Sequence, residues 1–439
     1  MAPPNVPIDP EAARRFAVEV VARLRSAGYQ ALWAGGCVRD QFLGGHPTDY
    51  DVATNATPPE VREVFGARRT LPLGAAFGVI TVLGPKQAGH VEVATFRRDV
   101  GYSDGRRPDS VAFSSAEEDA QRRDFTINGL FFDPIEEQVI DYVGGQADLN
   151  ARLIRAIGDP HERFTEDRLR MLRGVRFAAT FDFQMHPATL SAIRAQAAEV
   201  VVVSAERIAA EMRRMLVHPQ RATALEWLLK ADLLPVILPE FPAADTVACL
   251  RTMATLAYLQ APAFGTALAV LLRPLFINDP GIIDRVGERW RLANDEVNLC
   301  QWLLTNERLS RTATAAPWRM IQPLLVEPHA AELVTYLRAV ETIEHAEDHR
   351  ITWDGSNVVA SSFSTSTPAT DFCTAKLALP ADELNPPPLV TGADLIALGL
   401  RPGPDFKSLL GTIRDAQVEG RVTDKASALA MAREMTSSW

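Results

Sequence analysis

Residues 35–54 of the chain read GGCVRDQFLGGHPTDYDVAT, and this stretch decides the fold. Its last part is strand-like and carries Asp49 and Asp51, which are separated by one residue. Because side chains alternate between the two faces of a strand, both carboxylates point to the same side. Carboxylate oxygens are ligands that Mg²⁺ prefers, and such a pair can hold two ions that activate a hydroxyl and clamp a triphosphate. The spacing therefore predicts that Asp49 and Asp51 bind two Mg²⁺ ions.

The residues before the two aspartates strengthen this interpretation. Gly35 and Gly36 have no side chains, so the backbone can approach a phosphate closely, and Arg39 can neutralise charge on it. An isolated D-x-D pair is more often a solvated strand end. The glycine pair followed by Arg39 favours a phosphate site instead.

Length and composition indicate a soluble protein of several domains. A chain of 439 residues is longer than one hydrophobic core supports, so we expect about two to four domains or subdomains. The sequence contains no apolar run of about 18 residues and no secretory signal at its N-terminus, so we expect a cytoplasmic protein with no membrane partner. Cys37, Cys249, Cys300 and Cys373 lie far apart, which argues against a zinc site and against a disulfide framework.

The charge balance differs between the whole chain and one part of it. A net charge of −10 is an objection to a nucleic-acid partner, because phosphate binding normally requires a basic surface. Residues 150–230, however, contain 12 Arg and 1 Lys against 9 Asp or Glu, a local balance of +4. The guanidinium fork suits phosphates, although frequent Arg can equally reflect the base composition of a genome. Contacts with RNA are therefore expected on one face only.

The periodicity of the apolar residues divides the chain into two kinds of structure. Up to about residue 145, strand-like segments such as VITVLG and HVEVATF alternate with short helical segments, which predicts an α+β unit with a small mixed sheet. Beyond about residue 148, amphipathic helical segments dominate. A polar stretch over residues 351–388 is typical of a loop or linker before a last helical unit.

A second polar motif, RRDFTINGLFFDP, covers residues 122–134. The guanidinium of Arg123 suits phosphate oxygens, and Asp124 or Asn128 can accept a hydrogen bond from a ribose hydroxyl. A simpler interpretation is that Asp124 and Asn128 only stabilise a turn. Both interpretations can hold together.

The third motif, GDPHERFTEDRLRMLRGVRF, covers residues 158–177. Thr165 is a suitable N-cap, so we expect a helix to begin there, with Glu166 and Asp167 in its first turn. Acidic and basic side chains then recur at every third position and form one stripe on the helix. The members of this stripe are Asp167, Arg170, Arg173 and Arg176. Without further information, such a stripe is typical of a solvated face with ion pairs.

Together the three motifs resemble the class II nucleotidyltransferases of the polymerase-β superfamily, which include tRNA nucleotidyltransferases and bacterial poly(A) polymerases. The resemblance is clear over residues 30–240 and weak over residues 390–435. It implies an α+β fold in which a polymerase-β-like head with a small mixed sheet is followed by an all-helical neck, body and tail. The implied boundaries are a catalytic head over residues 1–147, a neck for nucleobase recognition over 148–215, a body over 216–340 and a linker with a tRNA-binding tail over 341–439.

The resemblance also implies roles for individual residues. Asp49 and Asp51 are its metal ligands, and Glu92 is the candidate for a third acidic residue that this family often carries on a later strand. Glu92 can also be only a carboxylate at a sheet edge. Arg123 contacts the triphosphate, and Asp124 and Asn128 help to select ribose. The nucleotide-binding residues that the resemblance implies are Gly35, Gly36, Arg39, Arg123, Asp124, Asn128, Glu166, Asp167, Arg170, Arg173 and Arg176.

The motif Glu166-Asp167-x-x-Arg170 is where members of this family read the incoming base with protein side chains. Cytosine and adenine both present an exocyclic amino donor beside a ring acceptor. An Asp acceptor next to an Arg donor suits these two bases and not guanine or uracil. Arg173 and Arg176 then lie nearer the triphosphate or the primer end.

The implied reaction is attack by the 3′-hydroxyl of a tRNA on the α-phosphate of CTP or ATP, with release of pyrophosphate. The segment LPLGAAFGVITV, residues 71–82, is closer to the CCA-adding pattern than to that of poly(A) polymerases, and the loop over residues 97–113 is typical of enzymes that add the terminal A. Full CCA addition and addition of the terminal A alone both stay open. Two further possibilities are a poly(A) polymerase and an inactive RNA-binding relative. The sequence does not indicate the oligomeric state.

Overall fold

The structure is a computed structural model that describes residues 7–100, 110–242, 244–344, 351–353, 358–360 and 367–436. The chain forms two compact units. The first comprises Met1–Met215 and Thr223–Phe241, and the second comprises Leu216–Ala222 and Pro242–Trp439.

The N-terminal part of the chain is built on a mixed sheet of seven strands. Its strands are β1 Ala31–Ala34, β2 Tyr50–Thr54, β3 Thr70–Gly74, β4 Val79–Leu83, β5 His90–Thr95, β8 Phe131–Asp133 and β9 Gln138–Ile140. Their order in the sheet is β3-β4-β5-β2-β1-β8-β9. Strands β2 and β5 are parallel, and the other neighbours are antiparallel. Short strands outside this sheet pair two by two, and they are β6 Arg97–Val100 with β7 Ser110–Phe113, and β10 Leu153–Ile154 with β11 Gln184–Met185.

Helices surround the sheet and follow it. The helices up to residue 237 are α1 Pro10–Ser26, α2 Gly36–Phe42, α3 Pro58–Phe65, α4 Ala116–Gln121, α5 Gly145–Asn150, α6 Pro160–Glu166, α7 Leu169–Phe181, α8 Pro187–Gln196, α9 Ala205–Val217, α10 Arg221–Lys230 and α11 Leu234–Ile237. One core cluster joins the sheet to α4 through Leu32, Phe96, Ala120 and Phe131. Its residues are nearly inaccessible to solvent, and this burial fixes the strand ends that carry the polar motifs.

The second unit is mainly helical in its described residues. Its helices are α12 Thr246–Tyr258, α13 Phe264–Phe276, α14 Ile282–Trp290, α15 Asn294–Arg311, α16 Trp318–Leu325, α17 Ala330–Glu344, α18 Pro368–Leu377, α19 Ala381–Leu384, α20 Gly392–Ala397, α21 Pro404–Val418 and α22 Lys425–Thr436. The α+β fold with an N-terminal mixed sheet and a helical remainder is thereby confirmed. In the part of the chain described here, no helix combines the length and the apolar character needed to cross a bilayer.

The expectation of a loop over residues 351–388 is wrong for the strands and helices that the structure describes there, whereas residues 378–380 and 385–388 are irregular, as expected. Strand β12 Ile351–Trp353 pairs with β13 Val358–Ala360, and helix α18 follows. The buried carboxylate of Glu341 on α17 accepts hydrogen bonds from the backbone N–H groups of Ala369 and Thr370 at 3.2 and 3.0 Å. These bonds cap the start of α18 with a side chain from another helix, a contact that local composition does not reveal.

Candidate active site

Three carboxylates lie near one another beside the central strand of the sheet. Asp51 lies on β2 and Asp49 directly precedes that strand, while the parallel register places Glu92 of β5 beside Asp51. The surrounding protein displaces water from the Asp51 carboxylate and raises its pKa to about 6, and the negative charges of Asp49 and Glu92 act in the same direction. Arg123 opposes this shift. The arrangement concentrates negative charge at one place, which a bound cation would relieve.

The chemistry of these side chains fits magnesium. No group of three or more His, Cys, Asp or Glu side chains among the described residues forms a metal site by itself. Mg²⁺ does not require such a group, because it usually keeps several water ligands and is held by one or two carboxylates together with substrate phosphates. Asp49 and Asp51 supply two carboxylates at the edge of a cavity.

Gly35 forms the turn between β1 and α2, and its conformation requires glycine. Its φ angle is +71°, in the left-handed region. A Cβ atom at this position would lie 2.8 Å from Nη1 of Arg123, which is too close for the two atoms to coexist undisplaced. The backbone at Gly35 therefore packs directly against the guanidinium that the sequence assigns to the triphosphate.

Arg39 is largely buried and already has partners. Its Nε donates to Asp40 Oδ1 at 2.7 Å and its Nη1 donates to Asn128 Oδ1 at 2.5 Å. Its guanidinium also lies 4.5 Å from the ring centre of Phe181. Arg39 lines the cavity, and the N–H groups that these bonds do not use can still donate to a phosphate. In this structure its contacts are those of a residue that holds α2 against the turn at Asn128.

Arg123 is oriented by a residue that the sequence did not single out. Its Nε and Nη2 donate to Oδ2 of Asp119 at 3.2 and 3.0 Å, and its Nη1 donates to the carbonyl of Asn128 at 3.2 Å. Asp119 is only 2% exposed. Burial by itself would raise the pKa of Asp119, but the guanidinium groups of Arg123 and Arg122 outweigh burial and lower the pKa below its usual value.

Asp124 and Asn128 form a buried hydrogen-bonded pair. Asn128 Nδ2 donates to Asp124 Oδ1 at 3.0 Å, and Arg173 donates to Asp124 Oδ2 through Nε at 2.7 Å. Burial would raise the pKa of Asp124, yet Arg173 and Asn128 together hold it at about 2. Asp124 is therefore a charged acceptor, and both the turn-stabilising and the ribose-contacting interpretations stay compatible with its position in the cavity wall.

The expected helix start at Thr165 is wrong. Thr165 lies inside α6, which begins after the N-cap Asp159, and its hydroxyl donates to the carbonyl of His161 at 2.8 Å. The chain leaves helical geometry at Asp167, whose φ and ψ are −149° and 106°. Asp167 Oδ1 then accepts the N–H of Leu169 at 3.0 Å, so Asp167 and not Thr165 provides the side-chain cap of α7.

Because the helix is interrupted, Asp167 and Arg170 do not form the continuous stripe that the spacing predicts. Both oxygens of Asp167 instead accept from Arg207 on α9, at 3.1 Å from Nη1 and 2.7 Å from Nη2. Arg170 forms an ion pair with Glu166 and donates to the carbonyl of Arg122 at 3.2 Å. Each of the two base-reading candidates is thus fixed by partners of its own.

Arg173 and Arg176 extend the wall of the site along α7. Arg173 binds Asp124, as described above. Arg176 donates through Nε to Oε2 of Glu211 at 2.5 Å, and Arg214 donates to the other oxygen of the same carboxylate at 3.0 Å. Glu211 is 2% exposed, so a single buried carboxylate anchors two arginines at the end of the site.

These residues surround one cavity of about 770 Å³. Eight arginines and five aspartates contribute to its wall, an excess of positive charge that suits a polyanion. Twelve of the fourteen residues predicted from the sequence line it, and Glu92 and Glu166 lie just outside the wall. The lining residues that the sequence did not predict are Cys37, Asp40, Arg122, Leu169, Phe177, Arg207 and Arg214. Leu169 and Phe177 could have been inferred from their position in the third motif, but Arg207 and Arg214 lie on α9, outside all three motifs.

Comparison with protein families and solved structures gives consistent matches. Residues 31–155 match the family described as the poly A polymerase head domain, and residues 182–244 match a probable RNA and SrmB-binding site of polymerase A. The CCA-adding enzyme of Lacticaseibacillus paracasei is 33% identical over 419 residues, which cover 94% of each chain. The CCA-adding enzyme of Limosilactobacillus fermentum is 32% identical over 419 residues, 92% of each chain.

Among solved structures, the Bacillus stearothermophilus CCA-adding enzyme in complex with CTP superposes with a TM-score of 0.73 at 27% identity, covering 97% of this chain and 99% of that one. The Thermotoga maritima CCA-adding enzyme complexed with tRNA_CCA superposes with a TM-score of 0.67 at 18% identity, covering 98% of this chain and 96% of that one. At that identity the second match shows the shared fold.

Proposed function

Because this chain belongs to the CCA-adding enzymes, the class II tRNA nucleotidyltransferases, we propose that it builds the 3′-terminal CCA of tRNA from CTP and ATP. Its relatives that carry this activity in their names align over more than nine tenths of both chains. The match therefore covers the whole catalytic and helical arrangement and not only the nucleotidyltransferase motif. A poly(A) polymerase and an inactive RNA-binding relative are not favoured.

One observation carries the proposal. The carboxylates assigned to nucleotidyl transfer and the residues assigned to base reading line the same cavity, with Asp49 and Asp51 on one part of the wall and Asp167 and Arg170 on another. A nucleotide with its triphosphate near Asp51 can then present its base to Asp167. Transfer and base choice are supported as parts of one site.

Arginines of this cavity bind the triphosphate in our proposal. Arg123 donates three of its N–H groups to Asp119 and Asn128, which leaves two of the five in a guanidinium for phosphate oxygens. Its orientation is set before the nucleotide arrives, so little entropy is lost on binding. Arg173 and Arg176 supply further positive charge along α7.

Asp167 and Arg170 read the base. Arg207 holds both oxygens of Asp167 in place, and a carboxylate offers the base only hydrogen-bond acceptors. The amino groups of cytosine and adenine donate to such an oxygen, whereas the carbonyl oxygens of guanine and uracil at the equivalent position are repelled. Arg170 retains N–H groups that its bonds to Glu166 and to backbone carbonyls do not use, and these can donate to the ring nitrogen of either accepted base.

We propose that Asp49 and Asp51 hold two Mg²⁺ ions and that Glu92 supports Asp51 from the neighbouring strand. When bound, Mg²⁺ supplies positive charge that lowers the pKa of the attacking 3′-hydroxyl and stabilises the leaving pyrophosphate. The protein's part is to hold the two carboxylates in line with the triphosphate-binding arginines.

The division of labour along the chain is also part of the proposal. We assign the catalytic head to residues 1–147, the neck that reads the base to 148–215, the body to 216–340 and a tRNA-binding tail to 341–439. The first change between the two compact units, at residue 216, coincides with the proposed boundary between neck and body, although residues 223–241 belong to the first unit and the second is continuous only from Pro242. We place the activity in the cytoplasm, where tRNA matures in bacteria. The loop over residues 97–113, assigned to addition of the terminal A, lies mostly outside the described residues.

The experiment that tests the proposal uses three forms of one tRNA. The first ends before the CCA, the second carries the first C and the third carries both C residues, and each is given CTP alone or ATP alone. We expect CTP to extend the first two forms, ATP to extend only the third by one residue, and all reactions to stop there. Extension of the third form alone would instead identify an A-adding enzyme, and long A tracts on unrelated RNA would identify a poly(A) polymerase.

A further inference from the structure

Asp119 of α4 is a buried carboxylate at the junction of three parts of the catalytic unit. Its Oδ2 accepts Nε and Nη2 of Arg123 at 3.2 and 3.0 Å. Its Oδ1 accepts Nε and Nη2 of Arg122 at 2.9 and 2.7 Å. The backbone N–H of Arg97 also donates to Oδ1, at 3.3 Å. Five donors therefore converge on one side chain that does not itself line the cavity formed by the described residues.

The bonds to Arg97 connect Asp119 to the root of a hairpin. Arg97 is the first residue of β6, which pairs with β7 from Arg97↔Phe113 onwards. Its N–H donates to Asp119, and its carbonyl accepts Nε of Arg122 at 3.0 Å. The backbone N–H of Arg97 is thus held by Asp119, and its backbone carbonyl is held by Arg122, which Asp119 orients.

Arg122 extends the same network towards the base-reading residues. Its carbonyl accepts Nη1 of Arg163 at 3.3 Å and Nη2 of Arg170 at 3.2 Å. Asp119 therefore contacts Arg123 and the hairpin root at Arg97 directly. It also contacts Arg122, whose backbone carbonyl accepts a hydrogen bond from Arg170. The two arginines that Asp119 holds, Arg122 and Arg123, both line the cavity.

We propose that Asp119 is a positioning residue that sets the direction of Arg123 for the triphosphate and couples this arginine to the root of the β6–β7 hairpin. The inference rests on the proposed function, because it assigns Arg123 to the triphosphate. Asp119 acts through Arg123 and touches neither nucleotide nor tRNA. Loss of the Asp119 carboxylate should therefore lower kcat/KM for CTP and for ATP equally, since both nucleotides present the same triphosphate.

The test compares Asp119→Asn with a matched control in the same unit. Asp133 is also buried, pairs with Arg25 and accepts two backbone N–H groups, at 3.0 and 3.1 Å, but lies outside the cavity wall. We expect Asp119→Asn to lower kcat/KM for CTP and for ATP by the same factor, about tenfold, the size of one coupling between contacting residues. Asp133→Asn should leave both values close to those of the wild type.

A double-mutant cycle separates action through Arg123 from a direct effect. When Arg123→Ala is already present, adding Asp119→Asn should lower kcat/KM hardly any further, because the guanidinium that Asp119 positions is gone. If the two losses multiply instead, Asp119 acts independently of Arg123 and the proposal is wrong. Equal losses in Asp119→Asn and Asp133→Asn would identify a general cost of removing a buried carboxylate, which would also overturn it.

Hydrogen exchange tests the hairpin contact without any activity measurement. The amide of Arg97 should exchange faster in Asp119→Asn than in Asp133→Asn or the wild type, and an unchanged rate would contradict the coupling.

If Asp119→Asn fails to fold, Asp119→Glu keeps the charge while moving it by one methylene, and we expect it to lower kcat/KM for both nucleotides equally. Unequal losses would contradict the proposal. Inactivity of the wild type on tRNA would refute the proposed function itself, whereas an active wild type with a fully active Asp119→Asn variant would refute only this inference.

Discussion

Asp167 and Arg207 form a bidentate ion pair across 40 residues of sequence, with Arg207 donating from Nη1 at 3.1 Å and from Nη2 at 2.7 Å. The pair joins the break between α6 and α7 to the helix α9. Both side chains are largely shielded from solvent and line the cavity. The orientation of the carboxylate that we assign to base reading is therefore set by the neighbouring helix α9 together with the cap to Leu169.

Replacing Arg207 by Ala should weaken the use of both nucleotides without changing which bases are accepted. Asp167 would lose two charge-assisted bonds that hold it in place, so we expect kcat/KM for CTP and ATP to fall roughly 10- to 100-fold. Asp167 would still be an acceptor, so UTP and GTP should stay poor substrates. Arg152→Ala is the control, because Arg152 forms an exposed ion pair with Asp182 away from the cavity. Wild-type kinetics in Arg207→Ala would show that the ion pair has no role in binding.

Gly35→Ala should affect both stability and activity. An Ala at φ +71° is strained by about 1–2 kcal/mol, and its Cβ would press on Arg123. We expect a lower free energy of unfolding and a kcat/KM for both nucleotides that falls by roughly tenfold, the size of one coupling between contacting residues.

Gly44→Ala is the matched control for this variant. Gly44 has a similar φ of +79° but no atom within 4 Å of an added Cβ. Urea unfolding should show a comparable loss of stability in both variants, while incorporation assays show a loss of activity in Gly35→Ala alone. Equal activity of the two variants would show that the contact between Gly35 and Arg123 has no role in catalysis.

Asp49→Ala and Asp51→Ala should each abolish nucleotide incorporation while tRNA binding stays largely intact. If the metal ions stabilise the transition state by several kcal/mol, their loss lowers the rate by about a thousandfold or more. Glu63→Ala, an exposed carboxylate of α3 outside the cavity wall, serves as the control. Incorporation is measured with labelled CTP and binding by gel shift, and substantial activity in either Asp variant would remove the metal assignment.

The stability contributed by Asp124 should depend on pH in a defined direction. Its pKa is lowered to about 2 in the folded protein, so the stabilisation is complete above the unfolded pKa near 4 and is lost as the pH falls towards 2. Asp124→Asn should therefore cost on the order of 3 kcal/mol between about pH 5 and pH 7, and less below about pH 4. Urea unfolding across this range measures the difference.

The exposed pair Arg152–Asp182 provides the comparison for that experiment. Asp182→Asn should cost less than about 1 kcal/mol at every pH, because solvent screens the pair. A cost of Asp124→Asn that grows as the pH falls from 5 to 3 would have the wrong sign and would contradict the assignment.

Some parts of the site follow from sequence because their geometry is local. Asp49 and Asp51 line the same cavity, as the alternation of strand side chains predicts, and the mixed sheet that carries Asp51 is confirmed. Other contacts join segments far apart in the chain. Glu92 comes beside Asp51 only through the parallel pairing of β2 and β5, and Arg207 reaches Asp167 only through the packing of α9.

The incorrect helix start shows how two local signals compete. Thr165 has a suitable N-cap side chain, but Asp159 followed by Pro160 is a stronger start six residues earlier, so Thr165 became part of the first helix. The helix then ends where Asp167 leaves helical geometry. The pairing of Asp167 with Arg207 and its cap to Leu169 both favour that break. The sequence alone does not show that these two interactions outweigh a continuous helix.

The central claim, that the protein chooses its bases through Asp167, is tested most directly by the preference of Asp167→Asn for CTP over UTP. Two donors, from Leu169 and Arg207, face Oδ1, and only Nη2 of Arg207 faces Oδ2. The amide oxygen of Asn should therefore take the place of Oδ1, and its NH₂ group should replace Oδ2 with loss of the bond from Nη2. This NH₂ group can donate to the carbonyl oxygen of uracil. We predict that the ratio of kcat/KM for CTP to that for UTP falls about 10- to 100-fold relative to the wild type, whereas Asp182→Asn leaves it unchanged. An Asp167→Asn enzyme that remains active with the wild-type ratio would contradict the account.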